Sequence, residues 1–186
     1  EKKYFFFFFL MENSTRAAGP GSYSRITPFN GNWILLEPSS DTIYTLMPDC
    51  SLRPFIARTP PIHTMDPEVF LIPRLISNRY YFMEGIKNVY DFRKEEGFPK
   101  TYFVYDTQEK EFSRYIIYNG DYTSKNEFYM VMLTPINAQG ESWATLNAFD
   151  LCRDYQKGKL KGKLKEVAAT LEEDDNRVVM LVKSKK

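Results

Sequence analysis

Trp33-Ile-Leu-Leu-Glu37, Pro38-Ser-Ser-Asp41 and Thr42-Ile-Tyr-Thr-Leu46, read in that order, decide the fold. The outer two stretches are short, apolar and rich in β-branched and aromatic side chains. The middle one has turn chemistry, so the three read as a β-hairpin with a four-residue loop. A second turn, Met47-Pro-Asp-Cys-Ser51, leads into Leu52 to Arg58. Pro54 near the start of that strand removes a ladder donor and marks an edge or a bulge. Three consecutive strands joined by short turns form a meander.

The same rhythm continues outward. Glu68 to Ile72, Arg79 to Met83, Val89 to Arg93, Thr101 to Tyr105, Glu111 to Tyr118 and Glu127 to Leu133 all read as strands. The clearest hairpin is Thr101 to Tyr118, turning at Asp106 to Lys110. Asn119-Gly120-Asp121 is a strong turn signal. Toward the N-terminus, Tyr4 to Leu10 is a mostly aromatic apolar run, read as a buried strand lacking its upstream sequence. It is far too short to span a bilayer as a helix. Lys2 and Lys3 before it imitate the start of a leader, but no small-residue cleavage site or lipid-anchor Cys follows. Asn13 to Ser24 is a Ser-, Gly- and Pro-rich loop. Beyond residue 133, Trp143, Leu146, Phe149 and Cys152 recur at helical spacing, as do Leu160, Leu164, Val167 and Leu171. Residues 142–172 therefore read as a helical insertion in one kinked or two separate pieces, with Ser142 as N-cap. Arg177-Val-Val-Met-Leu-Val-Lys183 is a final strand whose unbroken apolar run predicts burial on both faces.

Composition bounds the function. A chain of 186 residues with 43% hydrophobic content can bury a core and reads as a single domain over residues 1–186. Aromatic residues make up 16%, which suits half-buried pleated surfaces. A net charge of +1 gives no field drawing the chain to nucleic acid. Cys50 and Cys152 are too few for a disulfide framework and read as free thiols.

No catalytic constellation emerges. His63 is the only histidine, so neither a triad nor a typical zinc site is expected, and no cofactor is implied. Asp41, Asp106 and Asp121 sit at turns, where side-chain to backbone bonding explains them better than acid–base chemistry. The basic run Lys157 to Lys165 interleaves with Leu160 and Leu164 and reads as a solvated helix face. The aromatics carry the functional expectation: Trp33, Tyr80, Tyr81 and Tyr102 are candidate stacking platforms. The Pro-rich connection Thr59 to Pro67 is a second candidate, offering His63 and Asp66 beside Arg58 on an irregular segment.

Several stretches carry a resemblance: Ser40-Asp-Thr-Ile-Tyr44, Pro54-Phe-Ile-Ala-Arg-Thr-Pro60, Met65-Asp-Pro-Glu-Val-Phe70, Arg79-Tyr-Tyr-Phe-Met83, Val104-Tyr-Asp106, and the tail from Leu160 to Glu166 and Glu173 to Val182. Together they resemble the six-bladed β-propeller lipoproteins of Bacteroides, a family of unknown biochemical function. The resemblance implies an all-β, partial β-propeller of antiparallel meander blades with a C-terminal helix and closing strand, the C-terminal part of a longer propeller. It also implies a cell-envelope location, in the periplasm or at the outer-membrane surface. Six blades of roughly 40–45 residues need about 250 residues, so this chain has room for about three. The closing strand is expected to pair within a blade formed much earlier in the chain. The function expected is a non-catalytic envelope binding or scaffold protein for a glycan, a peptide or an envelope protein. The alternatives are a glycan hydrolase or lyase, and a module whose open β edge pairs with missing blades or with a second copy.

Overall fold

The computed structural model describes residues 26–137 and 141–183. The apolar run Tyr4 to Leu10 and the loop Asn13 to Ser24 lie outside the described residues. The chain is mostly β, in antiparallel sheets, with two α-helices among the described residues. It divides into two compact units whose described parts are residues 26–72 with 84–101, and residues 73–83 with 102–183.

The first unit opens with a four-stranded meander in the order β1 (Ile26–Phe29), β2 (Asn32–Leu35), β3 (Thr42–Leu46), β4 (Leu52–Ala57). Asn30 and Gly31 join β1 to β2, with φ of 49° and 73°. Two successive positive φ values match the twist of the flanking strands, and an Asn-Gly pair tolerates them at little cost. The β3–β4 turn is held by Asp49, whose Oδ1 accepts from Ser51 N at 3.0 Å and Ser51 Oγ at 2.6 Å. Those bonds favour the charged carboxylate and hold Asp49 below its ordinary pKa. Among the described residues β4 is an edge strand, and the register slips between the pairs Ile43–Ile56 and Tyr44–Pro54. Pro54 thus sits at both an edge and a bulge.

A second four-stranded sheet has the order β10, β9, β6, β5, built from β5 (Val69–Ile76), β6 (Tyr80–Lys87), β9 (Lys100–Asp106) and β10 (Glu111–Arg114). The boundary between the two units falls within β5, β6 and β9. The small ribbon β7 (Tyr90–Asp91) and β8 (Glu96–Gly97) lies between β6 and β9 in sequence. Glu84 of β6 is fully buried and pairs with Lys100 Nζ at 2.9 Å. At the β9–β10 turn, Asp106 Oδ1 accepts from Gln108 N at 2.9 Å and Glu109 N at 3.3 Å, as expected of a turn aspartate. The guanidinium of Arg79 donates to the same carboxylate at 2.8 and 3.0 Å and holds its pKa down.

The strands expected at Glu111 to Tyr118 and Glu127 to Leu133 are each broken. Glu111 to Arg114 is β10, whereas β11 (Ile117–Tyr118) pairs with β12 (Glu127–Phe128) in a separate ribbon. A 3-10 turn at Met130–Met132 then buries Met130 in place of extending the strand.

The last sheet runs β13 (Thr134–Pro135), β14 (Ser142–Leu146), β15 (Val178–Val182). Ser142 starts β14 and does not cap a helix. The cap is Asn147, whose Oδ1 accepts from Phe149 N at 2.9 Å and starts α1 (Ala148–Gln156). The following α2 (Gly162–Ala168) is separate, and the break falls at Gly158, whose φ is 66°. The closing strand differs from expectation twice. Among the described residues it pairs with β14, directly before the helices, and with no strand formed much earlier. Its faces also alternate: Val178, Met180 and Val182 are half-buried, whereas Val179 and Leu181 are 60% and 65% exposed. An unbroken apolar run carries no facial periodicity, so burial of both faces was the wrong inference from it.

The described residues of the second unit form two core clusters. Leu75, Met130, Leu133 and Ala144 gather Met180, Val182 and four aromatics and aliphatics around them. Leu151, Leu160, Leu164 and Ala168 gather Tyr122, Leu146 and Val178. The inward face of the β14–β15 pair is therefore divided between a sheet core and a helix core.

Candidate functional site

The ribbon of β11 and β12 positions the candidate site. Tyr115 precedes β11 and Tyr129 follows β12, so the hairpin carries one tyrosine at each side of its open end. Tyr115 N donates to Tyr102 O at 3.2 Å, tying this end to β9. The Tyr102 ring then lies between the other two, with centroids 5.1 Å from Tyr129 and 6.1 Å from Tyr115. The rings are tilted by 42° and 51°, a geometry that aromatic quadrupoles favour over face-to-face stacking. Phe82 closes the back of the cluster, edge-on to Tyr115 at 5.2 Å.

The three tyrosines, with Ile116, Ile117, Glu127 and Phe128, line a pocket of about 30 Å³. Glu127 accepts a short hydrogen bond from Tyr129 Oη. Holding that proton beside a carboxylate raises the Tyr129 pKa. The bond leaves Glu127 one carboxylate oxygen that Tyr129 does not engage. Glu127 is the one carboxylate of the lining, and no cationic side chain joins it. The arrangement can stack an apolar ring face and accept hydrogen bonds at its rim. Glycoside hydrolysis by paired carboxyls needs a second acid about 5–10 Å away, which this lining does not supply.

Among the residues expected from sequence, Tyr102 lies in this pocket. Tyr80 and Tyr81 belong to the same unit but serve packing. Tyr80 lies under the Arg79 guanidinium at 4.9 Å and beside Phe82 at 6.1 Å. Tyr81 packs on Tyr105 at 5.9 Å, and burial raises its pKa. Trp33, Arg58, His63 and Asp66 belong to the first unit. Trp33 is 47% exposed on β2, between Pro28 and Leu46 of the flanking strands. Arg58 is committed to the backbone. Its Nη1 donates to Val69 O, and its own amide donates to Asp41 O at 3.0 Å. Asp41 Oδ1 in turn accepts from Ile62 N at 2.6 Å. The Pro-rich connection is thus pinned at its start, with His63 and Asp66 exposed on it. Tyr115, Tyr129 and Glu127 were not expected, because the strands read through 111–118 and 127–133 hid the ribbon that gathers them.

Among the described residues no group of three or more His, Cys, Asp or Glu side chains could hold a metal ion. No described helix is long and apolar enough to cross a membrane. Cys50 is exposed and Cys152 buried, both as free thiols.

No known family and no curated protein matches the chain. Among solved structures it is similar to the "Putative exported protein" of Bacteroides fragilis NCTC 9343, with a TM-score of 0.54 and 14% identity. The match covers 87% of this chain and 49% of that one, so the chain spans about half the length of its structural neighbour. At this identity the likeness is one of fold.

Proposed function

We propose that the protein is a non-catalytic binding module of the bacterial cell envelope, and that the Tyr102–Tyr115–Tyr129 pocket takes the ring face of a neutral glycan. The observation that carries this reading is a tyrosine cluster with a single carboxylate at its rim. Aromatic faces stack on the C–H face of a pyranose, and Glu127 accepts from its hydroxyls. A lining with no cation favours a neutral sugar over a uronic acid or a sulfated one. The propeller family enters here too. The antiparallel meanders and the exported Bacteroides neighbour support reading the sheets as blades of a propeller of the Bacteroides lipoprotein type. The same neighbour supports an extracytoplasmic location.

The test is a titration of the protein with neutral and anionic oligosaccharides by calorimetry, repeated on Tyr102→Ala and Glu127→Gln. Saturable binding to a neutral glycan, weakened about tenfold by Tyr102→Ala, is the expected result. Absence of binding up to millimolar glycan, or binding that Tyr102→Ala leaves unchanged, would overturn the assignment. Turnover of the glycan would return the hydrolase or lyase reading.

A further inference from the structure

Two members of the tyrosine pocket, Ile116 and Glu127, also belong to the outward face of the β11–β12 ribbon. Burial alternates along this stretch: Tyr115 and Ile117 are half-buried, whereas Ile116 and Tyr118 are 65% and 41% exposed. On the other strand Phe128 is half-buried and Glu127 exposed. Ile117 and Phe128 pack against the sheet core, so the alternation leaves Ile116, Tyr118 and Glu127 facing away from it. Register puts Tyr118 directly opposite Glu127. Tyr129, two residues beyond Glu127, shares this face, since its hydroxyl reaches the Glu127 carboxylate. Tyr118 and Tyr129 are therefore diagonal neighbours, about 7–8 Å apart across the ribbon, with Glu127 between them.

The ribbon is held at both ends. At its open end Tyr115 N donates to Tyr102 O at 3.2 Å. At its turn end Asn119 N donates to Asn126 O at 2.8 Å, and Thr123 N and Oγ1 donate to Lys159 O at 2.8 and 3.1 Å. A platform fixed in this way loses little freedom when a ligand lies on it. Lys125 is exposed, and its ammonium stands 5.4 Å from the centroid of the Tyr118 ring. A cation over an exposed ring is held weakly, and the flexible lysine stem lets it move aside. A sugar ring can then take its place on Tyr118, with the ammonium donating to a hydroxyl while Glu127 accepts from another.

We infer that the site takes an oligosaccharide and not a single sugar, with Tyr118 as the platform of a second subsite on the outward face of the ribbon. This rests on reading the tyrosine pocket as a glycan site. The pocket is small, at about 30 Å³, and engages only part of one ring. The spacing from Tyr129 to Tyr118 exceeds the width of one pyranose, so the adjoining ring of the chain lies over Tyr118. Glu127 sits beneath the linkage and accepts hydroxyls from either side of it.

The test is calorimetry with neutral gluco- and manno-oligosaccharides of one to four residues, on wild type, Tyr102→Ala and Tyr118→Ala. Affinity should rise about tenfold from the monosaccharide to the di- or trisaccharide. Tyr118→Ala should remove that gain and leave monosaccharide affinity unchanged, whereas Tyr118→Phe, which keeps the ring, should retain it. Tyr102→Ala should weaken every length alike. Should Tyr118→Ala unfold, Tyr118→Leu keeps apolar bulk without a flat ring and should lose the same gain. An affinity independent of length, a gain that survives loss of the Tyr118 ring, or a loss in Tyr118→Ala equal at every length would each overturn the second subsite and leave the pocket standing. No binding at any length up to millimolar sugar would overturn the glycan reading itself, and the second subsite with it.

Discussion

Removing the Asp121 carboxylate is expected to unseat α2, although Asp121 lies 43 residues before the amide it caps. α2 has seven residues, and its own N-cap, Lys161, offers no side-chain acceptor. Asp121 Oδ2 accepts from Leu164 N at 3.1 Å, and Asp121 O accepts from Lys161 N at 2.8 Å. A charged acceptor at a helix N-terminus is worth about 1–2 kcal/mol as a cap and up to about 3 kcal/mol as a bond to an ionised group. Because α2 supplies Leu164 and Ala168 to the helix core, fraying is not local. Asp121→Ala should therefore cost about 2 kcal/mol, or a fall in Tm of roughly 4–8 °C for a chain of this size. Asp121→Asn keeps an acceptor and should cost less than half as much. Gly162 makes the reasoning sharper. Its φ is +59°, and a Cβ there would stand 2.6 Å from Asp121 Oδ1. Gly162→Ala thus adds a left-handed backbone cost of about 1–2 kcal/mol to a collision with the cap. In the Asp121→Ala background the collision is gone and the backbone cost alone remains. Urea unfolding followed by circular dichroism, with the slope constant, measures all four corners of this cycle. A loss below about 0.5 kcal/mol for Asp121→Ala, or a Gly162→Ala cost equal in both backgrounds, would refute the reasoning.

Three further outcomes follow from local geometry. Arg79 holds the Asp106 pKa below the ordinary carboxylate value in the folded chain. That contribution is complete above the unfolded pKa of about 4 and disappears as pH falls through the folded value. The Tm difference between wild type and Arg79→Gln should therefore be largest near neutrality and close in acid; a difference independent of pH would exclude the ion pair as its source. Burial, followed by Glu173 and Asp175, raises the Cys152 thiol, which donates to Leu171 O at 3.4 Å, whereas Cys50 is exposed. Labelling with a disulfide reagent should modify one thiol in the native protein and two in urea, and rapid native labelling of both would mean that the helix core opens. Gly31→Ala meets no neighbour within 4 Å but retains a φ of 73°. It should cost about 1 kcal/mol from backbone strain alone, read from the urea midpoint, and a neutral result would mean that the turn relaxes to another type.

Local turn chemistry was legible in the sequence, and partners distant in sequence were not. Pro54 announced its edge and bulge, Asp106 its turn, and Pro38-Ser-Ser-Asp41 between two apolar stretches the hairpin, because each signal lies within a few residues of its effect. Asn30-Gly31 belongs to this legible class too, as an Asn-Gly pair is a strong hairpin signal, and reading it would have found β1. Asp121 was legible only by half. Its place in a turn was plain from Asn119-Gly120-Asp121, but nothing nearby indicates that its side chain reaches a helix 43 residues on. The tyrosine pocket was hidden in the same way. Tyr102, Tyr115 and Tyr129 come from three separate segments, and their convergence depends on the 117–128 ribbon, which continuous strand readings had erased.

The closing strand shows what kind of information the missing part is. Val178-Val-Met-Leu-Val182 is apolar at every position, so its composition is the same whether one face is covered or both. The structure covers one face, with the two cores dividing Val178, Met180 and Val182 between them, and leaves Val179 and Leu181 outside. Burying a Val or Leu side chain is worth roughly 1.5–3 kcal/mol, so two such residues plus Trp143 leave several kcal/mol of burial unclaimed within this chain. A single exposed Leu needs no explanation, but a register-aligned row of exposed apolar residues at a sheet edge does.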